Sequence, residues 1–297
     1  MRGYTVSDFD YAAPTSLAQA TALLAGAKGE ARVLAGGTDL IVQLREHLRD
    51  ADLVVDLKKI PELMELSYSP RAGLRLGASV PCYRIYEHAE ISAAYPAIAD
   101  AARIVGGWQI QCRASVGGNL CNSSPAADTI PALIALHARC VIAGPDGLRE
   151  VPAESFCTAP GRNVLRKGEV LATIIVTPRV PNSGSAYERF IPRNEMDIAV
   201  VGAASWVKLS ADGTTIEQAR IGLAAVAPTP LFAAEASQGL IGKAATEETF
   251  AQAGELARKV AAPISDMRGT AEFRLHLVGV LTRRTLAKAV ERARAEP

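Results

Sequence analysis

Two Gly-Gly pairs lie about eighty residues apart, and their surroundings suggest contact with phosphate groups. The first sits in Val33-Leu34-Ala35-Gly36-Gly37-Thr38-Asp39-Leu40, and the second in Ser115-Val116-Gly117-Gly118-Asn119-Leu120-Cys121-Asn122-Ser123-Ser124-Pro125-Ala126-Ala127-Asp128. A backbone without side chains can lie close against phosphate oxygens and offer its N–H groups to them. Asn119, Asn122, Ser123 and Ser124 add amide and hydroxyl donors, which bind pyrophosphate without net positive charge. Asp128 is a candidate acceptor for a ribose hydroxyl. Two such loops in one domain suggest a ligand with two phosphates and a large body. Simpler readings remain open. Ala35–Thr38 is also compatible with an ordinary strand-to-helix turn capped by Thr38 or Asp39, and Asp128 with the N-cap of a helix. Beside a phosphate, the Asp39 carboxylate should turn away.

The elements around these loops follow from periodicity. Thr15–Leu24 is expected to be helical, with Ser16 and Gln19 as a capping box and Gly26 as its stop. Ala31–Leu34 should be a strand, Asp39–Leu48 a helix and Asp52–Leu57 a second strand, a compact β-loop-α-β unit. A hairpin should turn at Pro70–Gly73 between Leu63 and Val80, followed by helices around Tyr83–Ala89 and Tyr95–Ile104. Thr129–Ala138 reads as a helix, Gly144-Pro145-Asp146-Gly147 as a turn between short strands, and Val170–Val176 as a buried strand. Pro178–Ser185 has linker composition. Beyond it come strands over Ala186–Ile191, Asp197–Leu209 and Thr215–Ala227, then helices over Glu247–Val260 and Thr270–Arg294, an α+β pattern.

Composition excludes several functions. Lys and Arg number 32 against 31 Asp and Glu, so no basic excess is present to neutralise a nucleic-acid backbone. Aromatic residues are 5%, too few for base-stacking platforms. No apolar run reaches eighteen residues, and Met1–Thr5 lacks a leader-type apolar stretch, so a cytoplasmic protein without a membrane span is expected. Cys82, Cys112, Cys121, Cys140 and Cys157 form no C-x-x-C pair; free thiols are expected, with any iron–sulfur cluster on another chain. His47, His88, His137 and His276 are scattered and fit no hydrolase or metal spacing. There is neither a P-loop lysine motif nor a strict G-x-G-x-x-G. Arg189 and Arg193 flank Phe190-Ile191-Pro192; one could face a negative charge on a cofactor, or pair with Glu188 or Asp197.

Taken together, these segments resemble the FAD-binding medium subunit of the molybdenum hydroxylases, the carbon monoxide dehydrogenase and xanthine dehydrogenase family. Ala35–Leu40 is similar to its first FAD loop and Ala114–Asp128 to its second. Arg193-Asn194-Glu195-Met196-Asp197-Ile198-Ala199 resembles its third landmark. Asp266-Met267-Arg268-Gly269-Thr270-Ala271-Glu272-Phe273-Arg274, with Leu281-Thr282-Arg283-Arg284, resembles its C-terminal signature.

The resemblance implies an α+β fold: a two-subdomain FAD domain of the vanillyl-alcohol-oxidase (PCMH) type over residues 1–178, split near 57, and a C-terminal domain over 179–297. It implies FAD contacts from Val33, Leu34, Ala35, Gly36, Gly37, Thr38, Asp39, Leu40, Val105, Ser115, Gly118, Asn119, Asn122, Asp128 and Leu171. Arg189 stands nearest the position where members often carry a lysine beside the flavin. No histidine lies in either loop, so the FAD is expected to be non-covalent, and no protein side chain is expected to act as acid or base. The cysteine-bearing insertion of the 4-hydroxybenzoyl-CoA reductase branch is missing. The implied complex is a heterotrimer, able to dimerise, with a small subunit carrying two 2Fe–2S clusters and a large molybdopterin subunit. The implied role is to pass electrons from those clusters to NAD+ or another acceptor. The alternative is a free-standing FAD-dependent oxidoreductase on the same fold.

Overall fold

Side-chain caps and backbone reversals set the element boundaries in this computed structural model, which describes residues 8–295. The N-terminal stretch read above for an apolar leader lies outside them. Strand β1 (Asp10–Ala12) precedes helix α1 (Leu17–Gly26). Ser16 Oγ accepts the Gln19 N–H at 3.3 Å, while Gln19 Oε1 reaches back to the Thr15 N–H at 2.9 Å, one residue short of a true capping box. β2 (Ala31–Leu34), α2 (Leu40–Arg45) and β3 (Leu53–Asp56) form the expected unit, with the strands parallel in the order β1-β3-β2. α2 stops earlier than its apolar spacing suggests because His47 adopts a left-handed conformation, φ +54°.

A second sheet follows. β4 (Leu66–Ser69) and β5 (Gly73–Gly77) make the hairpin. Between Tyr83 and Ile104 there are three helices where two were expected: α3 (Cys82–Tyr86), α4 (Ala89–Ala94) and α5 (Pro96–Ala102). Pro96 forces the break, because the residue before a proline avoids the helical region; Tyr95 sits at φ −132°, ψ 61°. α6 (Trp108–Gln111), α7 (Val116–Asn122) and α8 (Thr129–Ala135) lead to β6 (Arg139–Gly144) and β7 (Gly147–Pro152). The small hairpin β8 (Cys157–Ala159) and β9 (Arg162–Asn163) precedes β10 (Val170–Val176). The five-stranded antiparallel sheet runs β4-β5-β10-β6-β7, with buried β10 at its centre. One core cluster joins this sheet to α1, α5 and α8 through residues such as Leu24, Ile98, Leu133 and Ile174.

The C-terminal part is a four-stranded antiparallel sheet in chain order: β11 (Ser183–Phe190), β12 (Val201–Leu209), β13 (Ile216–Ala224) and β14 (Leu231–Phe232). α9 (Ala234–Gln238), α10 (Glu247–Val260) and α11 (Ala271–Arg294) follow and share a second core with it, including Val207, Ile221, Phe250 and Leu286. The strand expected from Asp197 begins at Val201, and the supposed linker already contains the start of β11. The two cores are tied together by polar contacts. Asp100 of α5 accepts both terminal nitrogens of Arg292, at 2.6 and 3.0 Å, and the Tyr187 N–H at 3.2 Å. Arg220 of β13 donates to the Ile134 carbonyl at 3.0 Å, pairs with Glu154 and lies 4.0 Å from the centre of the Phe232 ring.

Candidate functional site

A cleft of about 920 Å3 is bordered by both glycine segments, β10 and the chain around Arg189 and Arg268. After Leu34 the backbone leaves β2 and turns at Gly37, φ +78°. The N–H groups of Gly36, Gly37 and Thr38 find no acceptor among the described residues. The helix ladder resumes only with the Ile41 N–H on the Gly37 carbonyl, 3.1 Å. Asp39 makes no side-chain cap bond, and loss of solvation pushes its carboxyl above the ordinary range. A Cβ on Gly36 would lie 2.1 Å from the Arg113 carbonyl oxygen, so this loop touches the backbone just ahead of the second glycine pair.

That second segment is largely a helix, α7, not a loop. Ser115 caps it by accepting the Gly118 N–H at 3.0 Å. Gly117 packs on the backbone after β5, where a Cβ would meet the Ala78 carbonyl oxygen at 2.4 Å. Gly118 borders the cleft and meets only Ser115 Oγ, at 3.0 Å. Asn119 Oδ1 accepts from Thr129 Oγ1 at 2.7 Å and from the Thr129 N–H at 3.3 Å, fixing the start of α8. Asn122 Oδ1 accepts weakly from Gln43 across the cleft, at 3.4 Å. Ser123 ends α7 at φ +51° and turns its hydroxyl inward to the Leu120 carbonyl, away from the ligand space.

Asp128 does not cap α8. It accepts from Tyr187 Oη at 2.7 Å and from Arg189 Nη1 at 2.5 Å. The Arg189 side chain is only 4% exposed. Burial pushes the Asp128 carboxyl up to about 6, against the lowering effect of Arg189 and Tyr187. Arg189 therefore pairs with neither Glu188 nor Asp197. Glu188 faces Lys288 at 3.8 Å, while Asp197 sits between Arg193 at 3.8 Å and Arg268 at 3.6 Å.

Of the sixteen residues singled out in the sequence, fifteen border the cleft. Leu34 does not; it packs beside Leu40 on the small core of Leu44, Ala51 and Val54. Leu171 reaches the cleft at a bulge in β10, where pairing with β6 shifts between Leu171 and Thr173. Three bordering residues, Arg49, Gly161 and Asn163, carry no sequence signal and approach from the β8–β9 hairpin side, while Met196 and Ile198 of the third landmark come from the exposed segment before β12. Ser79 also borders the cleft, and its buried hydroxyl has no hydrogen-bond partner.

Residues 7–179 match the model of the FAD-binding domain in molybdopterin dehydrogenase, and residues 185–289 match that of the CO dehydrogenase flavoprotein C-terminal domain. The chain belongs to the FAD-binding medium subunits of the molybdenum hydroxylases. It is 32% identical over 289 residues to the xanthine dehydrogenase FAD-binding subunit of Escherichia coli O157:H7, covering 96% of this chain and 98% of that one. It is 34% identical over 287 residues to the carbon monoxide dehydrogenase medium chain of Afipia carboxidovorans, covering 96% and 98%. Among solved structures, carbon monoxide dehydrogenase from Hydrogenophaga pseudoflava superposes with a TM-score of 0.92 at 30% identity, covering 97% of this chain and 99% of that one.

The cleft of this medium subunit suits FAD in its donor set. Three unpartnered backbone N–H groups and the orphaned Ser79 hydroxyl supply hydrogen bonds that the protein itself leaves unused. Val105, Ile110, Leu171, Met196 and Ile198 supply apolar wall. Among the described residues no helix is long and apolar enough to cross a membrane.

Proposed function

We propose that this chain is the flavin relay of a three-subunit molybdenum hydroxylase. It stands between the 2Fe–2S clusters of a small subunit, fed by a large molybdopterin subunit, and NAD+ or another acceptor. When bound, FAD supplies the exchange between one-electron and two-electron carriers. The chain itself binds, orients and shields. Gly36, Gly37 and Thr38 offer N–H groups to the diphosphate, with Val33, Ala35, Asp39 and Leu40 completing that wall. Ser115, Gly118, Asn119 and Asn122 shape the opposite wall. Val105 and Leu171 exclude water beside the ring system. Asp128 and Arg189 present a nearly neutral polar pair, already matched to each other.

The observation that carries this reading is the cleft's chemistry: it is rich in unused donors, yet its buried acid and base, Asp128 and Arg189, are tied together at 2.5 Å. A pair committed to itself in this way is not free to serve as nucleophile or proton shuttle. The relatives' descriptions as FAD-binding subunit and medium chain support a place in a larger complex. The test is removal of FAD from the purified complex under anaerobic conditions. Oxidisable substrate should still reduce the iron–sulfur centres, while transfer to NAD+ or a substitute acceptor should stop until FAD is restored. Acceptor turnover that persists without flavin contradicts the relay.

A further inference from the structure

The first glycine loop has almost no hydrogen bonds of its own, so something else must hold its shape. Lys58 does so from behind. Its Nζ donates to the Ala35 carbonyl at 2.9 Å and to Asp56 Oδ1 at 2.7 Å. The Lys58 N–H also donates to Asp56 Oδ1, at 3.0 Å, and Tyr11 Oη donates to Asp56 Oδ2 at 2.7 Å. The brace thus links β1 through Tyr11, β3 through Asp56 and the end of β2 through Ala35, all three strands of the small sheet. Burial alone would raise the Asp56 carboxyl, but hydrogen bonds from Lys58 and Tyr11 outweigh it and hold the group below the ordinary carboxylate range. Lys58 is therefore matched by a carboxylate and adds little net charge behind the loop.

Ala35 and Gly36 border the cleft, and Lys58 does not. In a trans peptide the carbonyl and the following N–H point in opposite directions, and among the described residues no peptide is cis. The geometry points to Lys58 as a positioning residue of the cofactor cradle: by holding the Ala35 carbonyl outward, it turns the Gly36 N–H inward toward the diphosphate. Without that anchor the Ala35–Gly36 peptide plane is free to rotate and present a carbonyl oxygen to a phosphate. This inference rests on FAD occupying the cleft as proposed above.

The test uses the full chain stripped of FAD, with Lys58→Met, Lys58→Arg and the double variant Lys58→Met/Asp56→Asn. The double variant removes the carboxylate left unpaired by the single change, so a folding defect in Lys58→Met does not decide the matter. FAD affinity is measured by titration, the apo fold by thermal melting, and the bound diphosphate by phosphorus NMR at saturating FAD. Loss of one charge-assisted hydrogen bond that orders a donor should weaken FAD about tenfold. It should also shift at least one phosphorus resonance, while the double variant melts close to the parent. Lys58→Arg should restore most of the affinity. Equal FAD affinity and identical phosphorus shifts in parent and double variant overturn the role given to Lys58. A parent chain that takes up no FAD overturns the flavin reading itself, which separates the two failures.

Discussion

The two Gly-Gly pairs look alike in sequence and differ in structure. In each, the first glycine permits backbone contact: Gly36 against Arg113 and Gly117 against Ala78, where a Cβ would fall 2.1 and 2.4 Å from a carbonyl oxygen. The second glycines diverge. Gly37 makes a left-handed turn in a loop whose amides are unused, whereas Gly118 is helical and already gives its N–H to Ser115. The first pair builds a donor surface; the second builds a wall with a small residue facing the ligand space. A Gly-Gly pair thus reports close approach of backbones first, and ligand contact only where the amides stay free.

Substitutions should separate these roles. The largest effect is expected for Gly117→Ala, because neither the new methyl group nor the Ala78 backbone can move aside; apo stability in urea unfolding should fall by about 3 kcal/mol. Next comes the acid behind the second segment. Burial pushes the Asp128 carboxyl up to about 6 in the fold, against an ordinary 3.8 in the unfolded chain. A raised carboxyl favours the fold while neutral, so its contribution is present below about pH 4 and lost as pH rises through about 6. Parent stability relative to Asp128→Asn should therefore fall by about 3 kcal/mol over that window and stay level above it. A difference that rises with pH would show that the pair with Arg189 outweighs burial.

Gly37→Ala should cost about 1.5 kcal/mol, from the left-handed backbone at φ +78°, and should weaken FAD as the loop relaxes. Gly118→Ala should change apo stability least, within about 1 kcal/mol, since alanine suits a helix and meets only Ser115 Oγ. It should still weaken FAD, because Gly118 borders the cleft and the added methyl group narrows the wall there. If Gly117→Ala and Gly118→Ala lower apo stability equally, the distinction between packing and ligand-facing glycines is lost.

Much of the fold was legible because local signals agreed with it. α10 spans Glu247–Val260 as expected, with the Thr246 cap, acidic first turn and basic last turn all consistent. β10 announced itself as a β-branched apolar run. α7 resembles a loop in sequence because two adjacent glycines have poor helix propensity, although Ser115 carries the cap signal that reveals it. Leu34 lay inside a contiguous motif, but its side chain joins the Leu44–Val54 core, a matter of strand facing that motif similarity does not report. The partner of Arg189 lies 61 residues away, on the other core, and Ser79 borders the cleft only because α7 packs on the chain beside it. Such contacts arise from tertiary packing and leave no local pattern.

Amide hydrogen exchange on the isolated chain, with and without saturating FAD, tests the central claim most directly: that the unused N–H groups of the first glycine loop receive the cofactor. The account predicts that exchange at Gly36, Gly37 and Thr38 slows on FAD binding by more than at the Gly118 and Asn119 amides, which Ser115 already engages. Bound FAD that leaves exchange at Gly36–Thr38 unchanged would contradict it.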